Sequence, residues 1–281
     1  MNKIIESFGA LLIGIFSTIP FARADLVEFD IDKALFYTQT NAAGSLTFNA
    51  AQFTSRLDQT ANAYNTAQLT SPNFPAGQAY TLNGAKTEFS LFQVFTTKAA
   101  MDAAYPFGTY TAHALNTVTS ATNSDTISYT EDAYPSTQAV VTSATFTGLQ
   151  GMNPNAPFTI NYNGFTPGAG TTPGQSFEFI DIFNSMGADV FSQSFLPNTQ
   201  TSVTIPAGTL MAGMAYTLSV DYSDRIQGTS TTGTNILFDY GTDLNFTTAT
   251  AVVPEPSTVL QLAGALAGLA LVGFWRSGRQ T

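Results

Sequence analysis

Two hydropathy patterns share this chain: a period of two that fills its body, and unbroken apolar runs near its ends. From Ala215 to Tyr222, the residues Tyr216, Leu218, Val220 and Tyr222 alternate with Thr217, Ser219 and Asp221, so a strand here carries one apolar face. Phe158, Ile160 and Tyr162 alternate in the same way with Thr159, Asn161 and Asn163. From Ala139 onward the spacing predicts strands over Ala139 to Thr147, Phe158 to Asn163, Ser176 to Phe183, Asp189 to Ser192, Thr201 to Ile205, Ala215 to Tyr222 and Asn235 to Tyr240, the last continued by Asp243 to Thr248. Gly148, Gly151, Pro154, Pro167-Gly168, Pro173-Gly174, Pro197 and Pro206 punctuate them and argue against long helices. Many short strands at regular spacing predict a β-sandwich over residues 136–250.

The first half reads less regularly. Leu26 to Thr38, Ser45 to Phe48, Ala79 to Asn83, Lys86 to Thr96, Thr109 to Leu115 and Thr126 to Thr130 have strand character. The segment from Lys98 to Ala104 holds good helix formers behind Thr97, a capping residue, and stops before Pro106. The Asn, Ala and Thr-rich stretch from Asn49 to Ala76 shows little periodicity and predicts a long loop with one helical turn. Residues 25–135 are therefore expected to form a second β-rich module, jelly-roll-like or irregular, packed against or tethered to the sandwich. The fold class expected is mainly β.

One pair in the sandwich is more specific. Tyr216 follows Leu210 by six positions, across the loop after Ile205-Pro206-Ala207-Gly208. This resembles the tyrosine corner of immunoglobulin-like and fibronectin type III sandwiches, where a tyrosine near the start of strand F bonds back to the preceding loop. The resemblance covers residues 139–250 and implies that Tyr216 is the corner residue and Leu210 its apolar partner. The cysteine pair and core tryptophan of a true immunoglobulin domain are missing.

The chain ends carry addresses. Lys3, the mainly apolar run from Phe8 to Phe21, and Ala22-Arg23-Ala24 before Asp25 read as a signal peptide over residues 1–24, cleaved after Ala24. At the other end, Val253-Pro254-Glu255-Pro256 precedes a run from Val259 to Trp275 that is apolar apart from Gln261, followed by Arg276 and Arg279. As a helix at ~1.5 Å per residue, the run would measure about 25 Å, enough for a thin hydrocarbon core. The arginines place its far end in the cytoplasm. This order of Pro254, Glu255 and Pro256, apolar segment and terminal arginines resembles the PEP-CTERM sorting signal read by bacterial exosortases. The resemblance covers residues 253 to about 279, although Arg276 and Arg279 are split by Ser277-Gly278 where the usual tail has a tighter basic cluster. It implies a Gram-negative source, export to the cell surface, transient inner-membrane insertion through a helix over 259–275 within a sorting segment 251–281, and an exosortase as processing partner.

Composition narrows the partners. Nineteen acids against nine bases give a formal net charge of −10. The bases of the body are Lys33, Arg56, Lys86, Lys98 and Arg225, with none between the last two. A field of this sign repels phosphate backbones and argues against nucleic-acid binding. Thr, Ser, Asn, Gly and Ala fill most other surface positions, a composition suited to hydrated polysaccharide. Cysteine is absent, so no disulfide or thiolate zinc site is available.

The search for chemistry finds little. His113 is the sole histidine and falls within a strand pattern, no serine is aimed at it by any motif, and neither a G-x-S-x-G elbow nor a phosphate-binding glycine loop occurs. Carboxylate pairs suited to glycoside cleavage remain as candidates: Glu131-Asp132, Glu178 with Asp181, and Asp221 with Asp224. Glu178 and Asp181 have opposite strand parity and are expected on opposite faces. Asp239 with Asp243, and Asp25, Glu28, Asp30 and Asp32, could offer oxygen ligands to calcium, but no EF-hand spacing accompanies them. The expectation is a non-enzymatic exported surface or matrix protein associated with exopolysaccharide, without cofactor or metal. The competing expectations are a carbohydrate-binding module, stacking sugars on exposed Tyr and Phe, and a polysaccharide-processing enzyme using a carboxylate pair.

Overall fold

Long antiparallel strands organise the body, and the computed structural model describes it over residues 26–60, 62–228 and 233–250. Ala22, Ala24 and Asp25 of the expected cleavage site, the expected span 259–275, Pro254, Glu255, Pro256, Arg276 and Arg279 lie outside the described residues. Among those described, no helix is long and apolar enough to cross a membrane.

The first eight strands are β1 (Leu26–Gln39), β2 (Leu46–Gln59), β3 (Thr66–Ser71), β4 (Phe74–Ala79), β5 (Thr81–Leu82), β6 (Glu88–Phe95), β7 (Gly108–Leu115) and β8 (Thr122–Tyr129). Helix α1 (Lys98–Ala104) interrupts them, its first turn capped by Thr97, whose hydroxyl accepts from the Ala100 N–H at 3.1 Å. The second half holds α2 (Ser143–Leu149), β9 (Phe158–Asn161), β10 (Ser176–Asn184), β11 (Asp189–Pro197), β12 (Ser202–Ile205), β13 (Ala215–Gln227) and β14 (Gly233–Thr247).

Two expectations need correction. The stretch from Asn49 to Ala76 is not a loop: β2 runs on to Gln59, and β3 and β4 follow. In β2, Ala51, Phe53 and Leu57 face a core while Gln52, Thr54 and Arg56 face the other way and are buried too. The polar set is shielded, so the apolar contrast that marks a half-buried strand is muted. The predicted strand from Ala139 to Thr147 keeps only a bridge from Val141 to Tyr162 and then becomes α2, because the Thr142 hydroxyl accepts from the Thr145 N–H and caps a helix.

Eight strands form one sheet in the order β11-β10-β13-β14-β1-β2-β6-β5, every pair antiparallel except β1 with β14. That parallel pair runs in register from Glu28↔Gly233 to Thr38↔Asp243. Two smaller sheets cover one face. The sheet β4-β3-β7-β8 encloses a core with Phe29, Ile31 and Leu35 of β1, Phe53 and Leu57 of β2, and Leu69, Tyr110 and Ile127 from its own strands. The pair β12-β9 encloses a second core with Ile180, Ile182, Leu218 and Val220.

Residues 139–249 have the pairing of an immunoglobulin-like sandwich, with β11-β10-β13-β14 as one sheet and β9-β12, plus the Val141 bridge, as the other. The division near residue 135 separates the two cores but not the large sheet. Strand β14 gives Ile236 and Phe238 to the first core and Leu244 and Phe246 to the second. Gln39, buried at the end of β1, reinforces the seam: its amide accepts from the Val141 N–H at 2.9 Å and donates to the Val141 carbonyl at 3.2 Å.

Candidate functional site

The outward face of the sheet β4-β3-β7-β8 is a lattice of hydroxyls. Because Tyr110, Ala112 and Ala114 of β7 point into the first core, Thr109, Thr111 and His113 must point out. Register then sets each beside a partner on β8: Thr109 and Ser128 hydroxyls lie 2.8 Å apart, Thr111 and Thr126 3.1 Å apart, and His113 Nδ1 sits 2.8 Å from Ser124 Oγ. On the other side His113 Nε2 is 3.1 Å from Thr70 Oγ1 of β3. An open groove of about 940 Å³ follows this end of the lattice, lined by Thr66, Gln68, Thr70, His113, Thr122 and Ser124 among others.

Sequence reasoning aimed no serine at His113, whereas the structure places Ser124 against it, because β7 and β8 pair in a register no local motif encodes. The imidazole bonds hydroxyls on both nitrogens, Ser124 on Nδ1 and Thr70 on Nε2, where a catalytic histidine has a carboxylate to orient it. Asp125, next in sequence, points to the opposite, buried side of β8.

The far face of the eight-stranded sheet gathers carboxylates from separate strands. Asp30 and Asp32 of β1, Asp239 and Asp243 of β14, Asp221 of β13 and Asp181 of β10 share this face by parity and register. Asp221 lies over Gly241, where an added Cβ would come within 2.6 Å of its Oδ1. Burial followed by the charges of Asp181, Asp243 and Asp239 holds Asp221 well above the usual carboxylate range, against a lesser opposing effect from the Ser219 hydroxyl. Burial pushes Asp181, Asp239 and Asp243 up to about 6 and Asp30 up to about 7. Asp32 rises well above its ordinary value, first through burial and then through the charge of Asp239. Ser219 donates to Asp243 at 2.9 Å, and Asn235 donates to Asp30 at 2.9 Å.

These groupings differ from the pairs legible along the chain. Glu178 lies on the second core, where burial near Tyr162 and Tyr222 raises it to about 7, while Asp181 lies on the far face. Asp224 also parts from Asp221, accepting from Ser176 Oγ at 2.5 Å and from the Gly168 N–H at 2.7 Å. Among the described residues, no group of three or more His, Cys, Asp or Glu is arranged to hold a metal ion.

Asp132 enters a different cluster with Asp102, Lys33 and Lys98. Lys33 Nζ, wholly buried, contacts Asp102 Oδ1 at 2.6 Å and Asp132 Oδ1 at 3.1 Å. Lys98 contacts Asp102 Oδ2 at 2.6 Å and also Asp132 Oδ2. Burial opposes the Lys98 charge, but its bonds to Asp102 and Asp132 outweigh it and raise its pKa; burial is likewise the largest single influence on Asp102 and opposes its charge, but the bonds and charges of Lys33 and Lys98 together outweigh it and hold Asp102 low.

Tyr216 Oη accepts from the Met211 N–H at 2.8 Å, and Leu210 is buried in the same core. The loop before strand β13 is thereby bonded to the strand's second residue.

No protein-family model matches this chain, and no curated protein is similar to it. Among solved structures, the BSP domain of a biofilm-associated protein aligns at 14% identity over 82% of this chain and 29% of that one, with a TM-score of 0.21. The FN1–FN3 domains of chicken CNTN1 align at 11% identity over 78% of this chain and 66% of that one, with a TM-score of 0.23. Three N-terminal domains of the bacteriophage RB49 highly immunogenic outer capsid protein align at 13% identity over 78% and 59%, also at 0.23. This chain thus spans less than two thirds of each, and at such TM-scores the likenesses carry no argument about its arrangement or role.

Proposed function

We propose that this chain is a non-enzymatic exported cell-surface or matrix protein that associates with exopolysaccharide, delivered by an exosortase that reads Pro254-Glu255-Pro256. The observation that carries the polysaccharide part is the hydroxyl lattice with its groove. Thr, Ser, Gln and Asn side chains there both donate and accept, matching sugar hydroxyls without a charged group to demand a counter-ion. The sorting part rests on the tail's resemblance in sequence.

The test is co-sedimentation of the purified protein with the native polysaccharide of the source strain, alongside an assay for new reducing ends. Sedimentation without reducing-end release is expected, and the double variant Thr70→Val with Ser124→Ala should sediment at least several-fold less. Release of reducing ends that disappears in Asp239→Asn would instead establish an enzyme working through the far-face carboxylates.

A further inference from the structure

The geometry points to an intramolecular amide bond between Lys33 Nζ and the Asp102 carboxyl carbon, formed after folding by the four-residue cluster itself. The cluster contains one candidate for each role that such a condensation needs. Lys33 is the nucleophile: it projects from β1 into the first core, wholly buried, with its Nζ 2.6 Å from Asp102 Oδ1. Asp132 is the proton carrier, because its Oδ1 lies 3.1 Å from the same Nζ. Lys98 is the electrophilic aid: its ammonium sits 2.6 Å from Asp102 Oδ2, where negative charge would build when nitrogen attacks the carboxyl carbon. The rings of Phe107 and Tyr129, 5.6 and 5.7 Å from Lys33 Nζ, line the amine with apolar surface.

The step balances without an outside reagent. Lys33 passes a proton to Asp132 and, as a neutral amine, forms a C–N bond to Asp102 Cγ. The Cγ–Oδ1 bond breaks, and that oxygen leaves as water, carrying one proton returned by Asp132 and one from the nitrogen. Before the reaction the four groups sum to zero charge; afterwards Asp132 and Lys98 remain as a neutral pair. Holding amine and carboxyl in contact supplies the proximity that makes an otherwise unfavourable condensation accessible.

Topology gives the bond a purpose. Lys33 and Asp102 are 69 positions apart, so the amide would close a long loop and fasten β1, the strand that joins both halves of the large sheet, to α1. The chain has no cysteine with which to make such a fastening from sulfur.

Peptide-level mass spectrometry on the folded full-length protein decides the matter. A digest should contain a Lys33 peptide joined to an Asp102 peptide, lighter than the two separate peptides together by one water. Asp132→Asn, shown to be folded by circular dichroism, should lose most of the joined species. Wild-type protein in which Lys33 and Asp102 occur only in separate peptides of full mass overturns the proposal, and so does a join from Lys33 to Asp132. Joining at wild-type yield in folded Asp132→Asn would overturn the mechanism as written.

Discussion

Asp181→Asn should stabilise the protein, and more so in base than in acid. Asp181 sits on β10 at 1% exposure with one oxygen lacking any donor, and burial is the main cause of its rise from 3.8 to about 6. The folded carboxyl keeps a proton that the unfolded chain releases, so its contribution favours folding in acid and is lost as pH climbs from about 4 through 6. The full difference corresponds to about 3 kcal/mol, of which roughly 1.4 kcal/mol falls between pH 5 and pH 8. Asparagine carries no such charge. Urea unfolding at pH 5 and pH 8 should therefore show the advantage of Asp181→Asn over wild type growing by about 1 kcal/mol between the two, once relaxation of neighbouring Asp221 is allowed for. Wild type itself should be less stable at pH 8, since Asp30, Asp239 and Asp243 titrate in the same direction. A variant equally destabilised at both values would show that Asp181 is solvated and that the far face is not a buried carboxylate array.

Other outcomes follow from single contacts. Tyr216→Phe removes the acceptor of the Met211 N–H and should cost about 1 kcal/mol by urea unfolding; a change within about 0.3 kcal/mol would make Tyr216 an ordinary sheet residue. Replacing Pro254, Glu255 and Pro256 by Ala should leave an uncut, membrane-held protein in a host with an exosortase, read by intact mass and fractionation, whereas wild-type secreted protein retaining Thr281 would refute the sorting proposal. Residues 136–250 expressed alone should melt well below the whole body or aggregate, because loss of β1 bares the edge of β14 and uncovers Ile236 and Phe238. A fragment that melts like the full chain would mean that the parallel seam contributes little.

What the sequence disclosed was local. Alternation along Tyr216, Leu218, Val220 and Tyr222 marks β13, and Thr97 ahead of Lys98-Ala99-Ala100 marks α1, because in each case period or cap chemistry is written in adjacent residues. The same rule shows why β2 was hidden. Both of its faces are shielded, so Gln52, Thr54 and Arg56 read as loop composition although they belong to the centre of a sheet. Glu178 and Asp181 were separable by parity alone, but the far-face array was not legible, since Asp32, Asp181, Asp221 and Asp239 come from four strands whose order depends on β1 pairing with β14.

That parallel pairing also governs how the two halves depend on each other. An immunoglobulin-like sandwich normally ends at its last strand, whose outer edge must be protected from other strands. Here β14 is protected by β1, which comes from the opposite end of the body and carries its own antiparallel partners β2, β6 and β5 beyond it. The last strand therefore has β13 on one edge and needs the first strand to cover the other, and Ile236 and Phe238 reach their core only when both are present. A parallel pair between residues some two hundred positions apart has a high loop-closure cost, so docking of β14 on β1 should be the late step of folding. Anything that fixes β1 beforehand, whether the Lys33–Asp102 contact or a bond made from it, prepares the template on which that step depends.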